Sequence, residues 1–234
     1  MLINYIANIL ESNNYTTLPT NIRSDRFEIR LFGTKKEALR EEYFVIIENV
    51  GPSENFLKEV LYGIADEIFD KITAQAEIAD YFRKNCTLII CLKNVEVSSA
   101  AILEIEEDQY NFKKNVIAYS QHELESIKIK VESILHKPGL TVEHINSLIN
   151  EGGGNVFRDF KMLGGSSNSY YSLLMKIFLK VPFLTYIPPE KSLHNLEGAI
   201  STSLTKKQMW LYDFNNSALL LNTDKNFDDW LNED

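Results

Sequence analysis

The chain has 234 residues, 44% hydrophobic and 24% charged, enough for one large domain or two small ones whose core needs no disulfide or metal. No apolar run approaches the ~20 residues of a membrane-spanning helix, and a net charge of −9 argues against indiscriminate nucleic-acid binding by the whole surface. The start, MLINYIANILESNN, lacks the basic region and small-residue cleavage site of a secretory signal, and Cys86 and Cys91 are expected as free buried thiols, so a cytoplasmic setting is expected.

In chain order, Leu2, Ile3, Ile6, Ile9 and Leu10 repeat at helical spacing, and Asn13, Asn14 and Pro19 end that helix. DRFEIRLFG (25–33) alternates Phe27, Ile29 and Leu31 with Glu28, Arg30 and Phe32, a half-buried strand stopped by Gly33. Residues 34–42 are polar, a helical turn or a long hairpin connection. EYFVIIENV (42–50) is β-branched and apolar, hence a central strand closed by Gly51 and Pro52. Ser53 is a suitable N-cap for a helix whose apolar stripe runs from Phe56 to Ile72, with an acidic opposite face and a break near Thr73 before Phe82.

TLIICL (87–92) reads as a strand buried on both faces. Cys86 and Cys91 are separated by an odd offset, which puts them on opposite faces and keeps them from pairing with each other. Ser98 can cap a helix over 100–107, although Ile102, Leu103 and Ile105 also fit a strand. NVIAYS (115–120) is a strand, and Leu124 to Leu135 a helix ended by Pro138 and Gly139. A short helix over 141–149 precedes EGGGNVFRDFKMLGGSSNS (151–169), expected as a loop or linker. Tyr170 to Phe178 form a helix terminated by Pro182. KQMWLYDF (207–214) and SALLLN (217–222) suggest a terminal hairpin, followed by an acidic tail with Phe227, Trp230 and Leu231. The expected architecture is α/β or α+β: a mixed β-sheet covered by helices in a 1–150 core, a 151–169 linker, and a mainly helical 170–234 part.

No complete catalytic motif is present. Glu104, Glu106, Glu107 and Asp108 lie near Lys113 and Lys114, and a metal-dependent nuclease needs carboxylates for a divalent ion plus a lysine near the water. The nearest match to a strand-borne E-x-K pair is Glu28-Ile29-Arg30, in which Arg cannot take a proton from water. A divergent endonuclease-like site would use Glu28, Glu48 and Asp108 with Lys113; the plain alternative is a solvated helix end with local ion pairs. The glycines at 152–154 and 164–165 lack the Gly-Lys-Ser/Thr of a phosphate loop. His122, His136, His144 and His194 are scattered, so no metal or other cofactor is expected. Arg23, Arg26, Arg30, Lys35, Lys36 and Arg40 form a basic stretch that a nucleic-acid-binding adaptor could use, or simply a charged face. FLKVPFLTYIPP (178–189) is the kind of segment that pads a groove between chains or crosses its own core, and Trp230 could anchor a docking tail.

The order Glu106-Glu107-Asp108, Tyr110, Phe112-Lys113-Lys114, Val116 and Tyr119, followed by LMKIFLKVPFL (174–184), Leu193 and Asn195-Leu196-Glu197, resembles the middle component of bacterial ABC-three-component systems, the class that includes Lamassu-like anti-phage defence. The resemblance covers residues 26 to 200. It implies a non-enzymatic accessory subunit without a Walker motif, joining an SMC-like ABC ATPase to a nuclease-like effector and coupling DNA sensing to effector release. It supplies no catalytic residues. Glu106, Glu107, Asp108, Phe112, Lys113, Lys114, Pro182, Phe183 and Trp230 are therefore expected as fold or partner-contact residues.

Overall fold

The structure is a computed structural model and describes residues 1–35, 41–51, 55–75, 80–93, 97–134, 139–162, 164, 169–188 and 204–211. Two compact units are formed, Met1–Pro189 and Glu190–Asp234. In the first, α1 (Leu2–Ser12) leads into β1 (Tyr15–Leu18), β2 (Phe27–Thr34) and β3 (Tyr43–Asn49). A continuous helical segment follows, made of α2 (Phe56–Glu59), a π-helix (Val60–Ile64) and α3 (Ala65–Thr73). Then come β4 (Cys86–Lys93), α4 (Ser99–Glu107), β5 (Lys113–Tyr119), α5 (Gln121–Ile134), α6 (Val142–Ile149), α7 (Asn155–Met162) and α8 (Ser169–Lys180).

The five strands lie in the order β1-β2-β3-β4-β5. β1 to β3 are antiparallel, whereas β3, β4 and β5 are parallel. Parallel neighbours need crossovers, and these supply the helices that cover the sheet. Side-chain alternation divides the core in two. Phe32, Phe44, Ile46, Ile89, Cys91, Ile117 and Tyr119 face α1, α5, α6 and α8. Leu31, Val45, Ile47, Leu88, Ile90 and Val116 face the α2–π–α3 segment and α4. The mixed sheet with helices on both faces bears out the α/β expectation. The two thiols are buried on opposite faces, Cys91 in the first core and Cys86 in the second. Both crossovers of the parallel strands carry their helices on one face, so β3–β4–β5 contain no reversal of winding of the kind that opens a ligand crevice in doubly wound sheets.

Several local expectations change. Gly33 does not stop β2 but lies inside it, where a Cβ would sit 2.9 Å from Leu18 Cδ1 and 3.2 Å from the Tyr43 ring. Its missing side chain lets the flanking strands pack. β1, read as chain following a helix, is a four-residue edge strand with only Tyr15 fully buried. Residues 99–107 resolve to helix, capped by Ser98, whose Oγ accepts from Ala101 N. The expected loop at 151–169 contains the helix α7 over Asn155–Met162, entered through a tight turn (Glu151–Gly154) whose Gly152 and Gly153 take positive φ. α8 places Tyr171, Leu173, Leu174 and Ile177 in the first core, so the first compact unit extends past residue 150 to Pro189.

In the second unit the expected strand at 207–214 is helical over 206–211. The reason is a capping box: Thr205 Oγ1 accepts from Gln208 N, and Gln208 Oε1 accepts from Thr205 N at 3.0 Å. The Ser53 cap, the partner strand at 217–222 and Trp230 lie outside the described residues.

Candidate partner-contact site

The sheet's registers decide the nuclease-like constellation. Glu28 is the cross-strand partner of Glu48, so both carboxylates lie on the α1 face of the sheet. Asp108 is bonded to Lys114, which shares the opposite face with Val116. Lys113 is level with Thr87 at the start of the parallel strands, and Glu48 is level with Cys91 and Ile117 near their ends. The four positions between Lys113 and Ile117 correspond to ~13 Å along β5 at about 3.3 Å per residue. Glu28, Glu48, Asp108 and Lys113 therefore do not converge, and no group of three metal-ligating side chains is gathered among the described residues.

Each of these acids has a structural task instead. Glu48 is fully buried beneath the start of α1. Its Oε2 accepts from Ile3 N at 2.8 Å and its Oε1 from Leu2 N at 3.2 Å, while the Tyr119 hydroxyl donates to Oε1. A carboxylate there meets orphan N–H groups and the positive end of the helix dipole. Burial first, then the hydrogen bond to Glu48 and its charge, hold the Tyr119 phenol above its ordinary value. Burial likewise pushes both thiols up, with Glu48 adding to the effect at Cys91. Neither cysteine has the electropositive, accessible setting of a reactive thiol. Glu28 pairs with Arg30 at 3.0 Å.

The charged turn ahead of β5 is held from within. Lys114 is 2% exposed. Its ammonium donates to Asp108 Oδ2 at 2.6 Å and to the Tyr110 carbonyl at 2.6 Å, closing the turn onto the strand. Phe112 packs edge-on against Phe69 and Phe82. Glu106 guards the outer edge of β5: its Oε1 accepts from Val116 N at 2.8 Å, and Lys180 at the end of α8 donates to both its oxygens. This carboxylate ties α4 on one face to α8 on the other, around an edge that would otherwise offer an unpaired N–H. Glu107 and Lys113 are exposed.

The segment after α8 crosses its own core. Val181 and Leu184 are buried, and Phe183 packs against Tyr15 and Phe44 at ring separations of 5.0 and 5.8 Å. Asn146 of α6 straps it down, donating to the Thr185 carbonyl and accepting from Ile187 N at 2.7 Å. Pro182 stays exposed and, with Lys113, helps line an open groove of about 760 Å³ at the starting ends of β3, β4 and β5. Tyr43, Thr87 and Tyr81 also line it, with Glu41, Glu42 and Lys84 contributing charge. Sequence reading singled out Lys113 and Pro182 but missed the groove, because its walls come from three strands that only the register brings level.

The described part of the basic stretch does not form one surface. Arg26 reaches Glu59 of α2 on one side of the sheet, and Arg30 reaches Asn4 of α1 on the other. Lys36 and Arg40 lie outside the described residues. Among the histidines, His144 caps locally, with Nδ1 2.9 Å from the Gly139 carbonyl.

No helix among the described residues is long and apolar enough to cross a membrane. Neither the curated proteins nor the solved structures contain a match to this chain. The family comparison does, over a narrower stretch than residues 26 to 200 but one that holds β3, the α2–π–α3 segment, β4, α4, β5 and α5. Residues 42–139 match the model of the ABC-three component (ABC-3C) system Middle Component 1 family.

Proposed function

We propose that this protein is a non-enzymatic accessory subunit, acting in the cytoplasm, that joins an SMC-like ABC ATPase to a nuclease-like effector in a bacterial anti-phage or anti-plasmid defence complex of the Lamassu-like kind. The family match over residues 42–139 carries the reading. It is supported by how the charged residues of that stretch are used: Glu48, Glu106, Asp108 and Lys114 hold helices and strand edges rather than meeting at one reacting point. The groove bearing Lys113 and Pro182 is the proposed contact for one partner, with exposed Glu107 and the Trp230 tail as further contacts. Any contact with DNA is local or made through the ATPase.

Co-expression with an ABC ATPase and an effector of an ABC-three-component system from the same genome tests the reading. A complex of all three that survives size-exclusion chromatography is expected. A chain that elutes alone in the presence of both partners rejects it.

A further inference from the structure

The layer formed by the α2–π–α3 segment and α4 carries a patch of exposed apolar side chains. Tyr62, Leu103 and Tyr110 are 73%, 54% and 79% exposed. Three different elements bring them together. The Tyr62 hydroxyl donates to Glu104 Oε1 at 3.1 Å, next to Leu103 on α4. Asn111, adjacent to Tyr110, donates to Asp66 Oδ1 at 2.7 Å, one turn beyond Tyr62.

Tyr62 sits at the centre of the π-helix Val60–Ile64. A π-turn widens the helix and rotates its following face, and such turns are frequent at functional positions. Val60 and Ile64 remain buried on its inner side, so the widened turn keeps the core while pointing Tyr62 outward. Next to Tyr62, the Cβ position of Gly63 faces open space, which lets a partner backbone come close.

The surroundings are acidic. Asp66, Glu67 and Asp70 on α3 and Glu104 and Glu107 on α4 are exposed. Facing them on these helices are Lys58 and Lys71, and Lys71 is already paired with Glu67. A partner seated here is therefore selected for positive charge. The aromatic and aliphatic side chains fit an apolar anchor, and tyrosine is a residue type that dominates binding energy at such contacts.

We infer that this patch is a docking surface for a partner-protein segment that carries Lys or Arg beside an apolar anchor: the anchor lies among Tyr62, Leu103 and Tyr110, and the cations face Glu104, Glu107 and Asp66. The inference rests on the joining role proposed above and assigns one of its surfaces.

The test measures binding of the full chain to the ATPase and to the effector separately, for wild type, Tyr62→Ala/Tyr110→Ala and Glu104→Lys/Glu107→Lys. Leu179→Ala, at an exposed position on α8 of the other layer, is the control. The substituted side chains are exposed, so unchanged thermal denaturation is expected throughout. Both patch variants are expected to lose roughly tenfold or more in affinity for one subunit. Wild-type binding to that subunit should weaken as salt rises, and Leu179→Ala should bind as wild type does. If wild type binds and the patch variants bind equally well, the inference fails while the joining role stands. If wild type binds neither subunit, both fail.

Discussion

Lys114 shows how a charge that looks functional in the sequence becomes structural in the fold. It occupies the strand position whose side chain enters the second core, and its ammonium is neutralised by Asp108 and two carbonyl groups. Lys114→Met is expected to destabilise the protein by about 3 kcal/mol in urea denaturation, because Asp108 and the turn carbonyls lose their donor. The double change Asp108→Asn/Lys114→Met should cost less than the sum of the two single changes. Tyr119 makes a second case, with a pH signature. An unfolded tyrosine ionises near 10, whereas the folded phenol, buried against Glu48, keeps its proton to higher pH. Its contribution is thus fully present below about 10 and is lost as pH rises beyond that, since the unfolded state then binds fewer protons. Tyr119→Phe should lower stability at neutral pH by roughly 1–3 kcal/mol and flatten the alkaline limb, as read from denaturation midpoints against pH. Cys91, fully buried, and Cys86, 7% exposed, are expected to resist a thiol reagent in the native protein and to react fully in denaturant.

Elements here depend on short-range chemistry at their ends and on long-range straps. The turn between α6 and α7 places Gly152, Gly153 and Gly154 at φ of 64°, 65° and 85°, the left-handed region. Gly153 has open space around its Cβ position, so Gly153→Ala is penalised by backbone conformation alone. A loss of about 1 kcal/mol in thermal or urea unfolding is expected. Asn146 acts over a longer distance. It is 4% exposed, and its amide holds the Thr185 carbonyl and Ile187 N. Asn146→Ala should destabilise by roughly 2 kcal/mol and raise amide hydrogen exchange in 181–187 before the sheet is affected. The helix at 206–211 was misread as a strand from its apolar pattern, although Thr205 and Gln208 have the capping-box spacing that starts it. β1 was not legible, because four residues with one buried side chain produce no measurable period, and its pairing with β2 is what makes it a strand.

At the scale of the first unit, a mixed sheet is closed by two helical layers, and the same alternation that builds both cores separates the acids from one another. The sequence by itself determined the four longer strands, most of the helices, the opposite-facing thiols and the family resemblance of the central stretch. These depend on local periodicity, capping spacing and residue order, which are fully present in one dimension. Tertiary structure alone decided that β3 is antiparallel to β2 and parallel to β4, because pairing direction belongs to the crossover and not to either strand. It decided that Glu48 lies beneath the start of α1 and that Glu106 links α4 to α8 around the edge of β5, contacts spanning 45 and 74 positions. It also assembled the groove of Lys113 and Pro182 and the patch of Tyr62, Leu103 and Tyr110 from segments distant in the chain. A charged residue's role is set by what lies within about 3 Å of it, and no spacing in the sequence carries that distance.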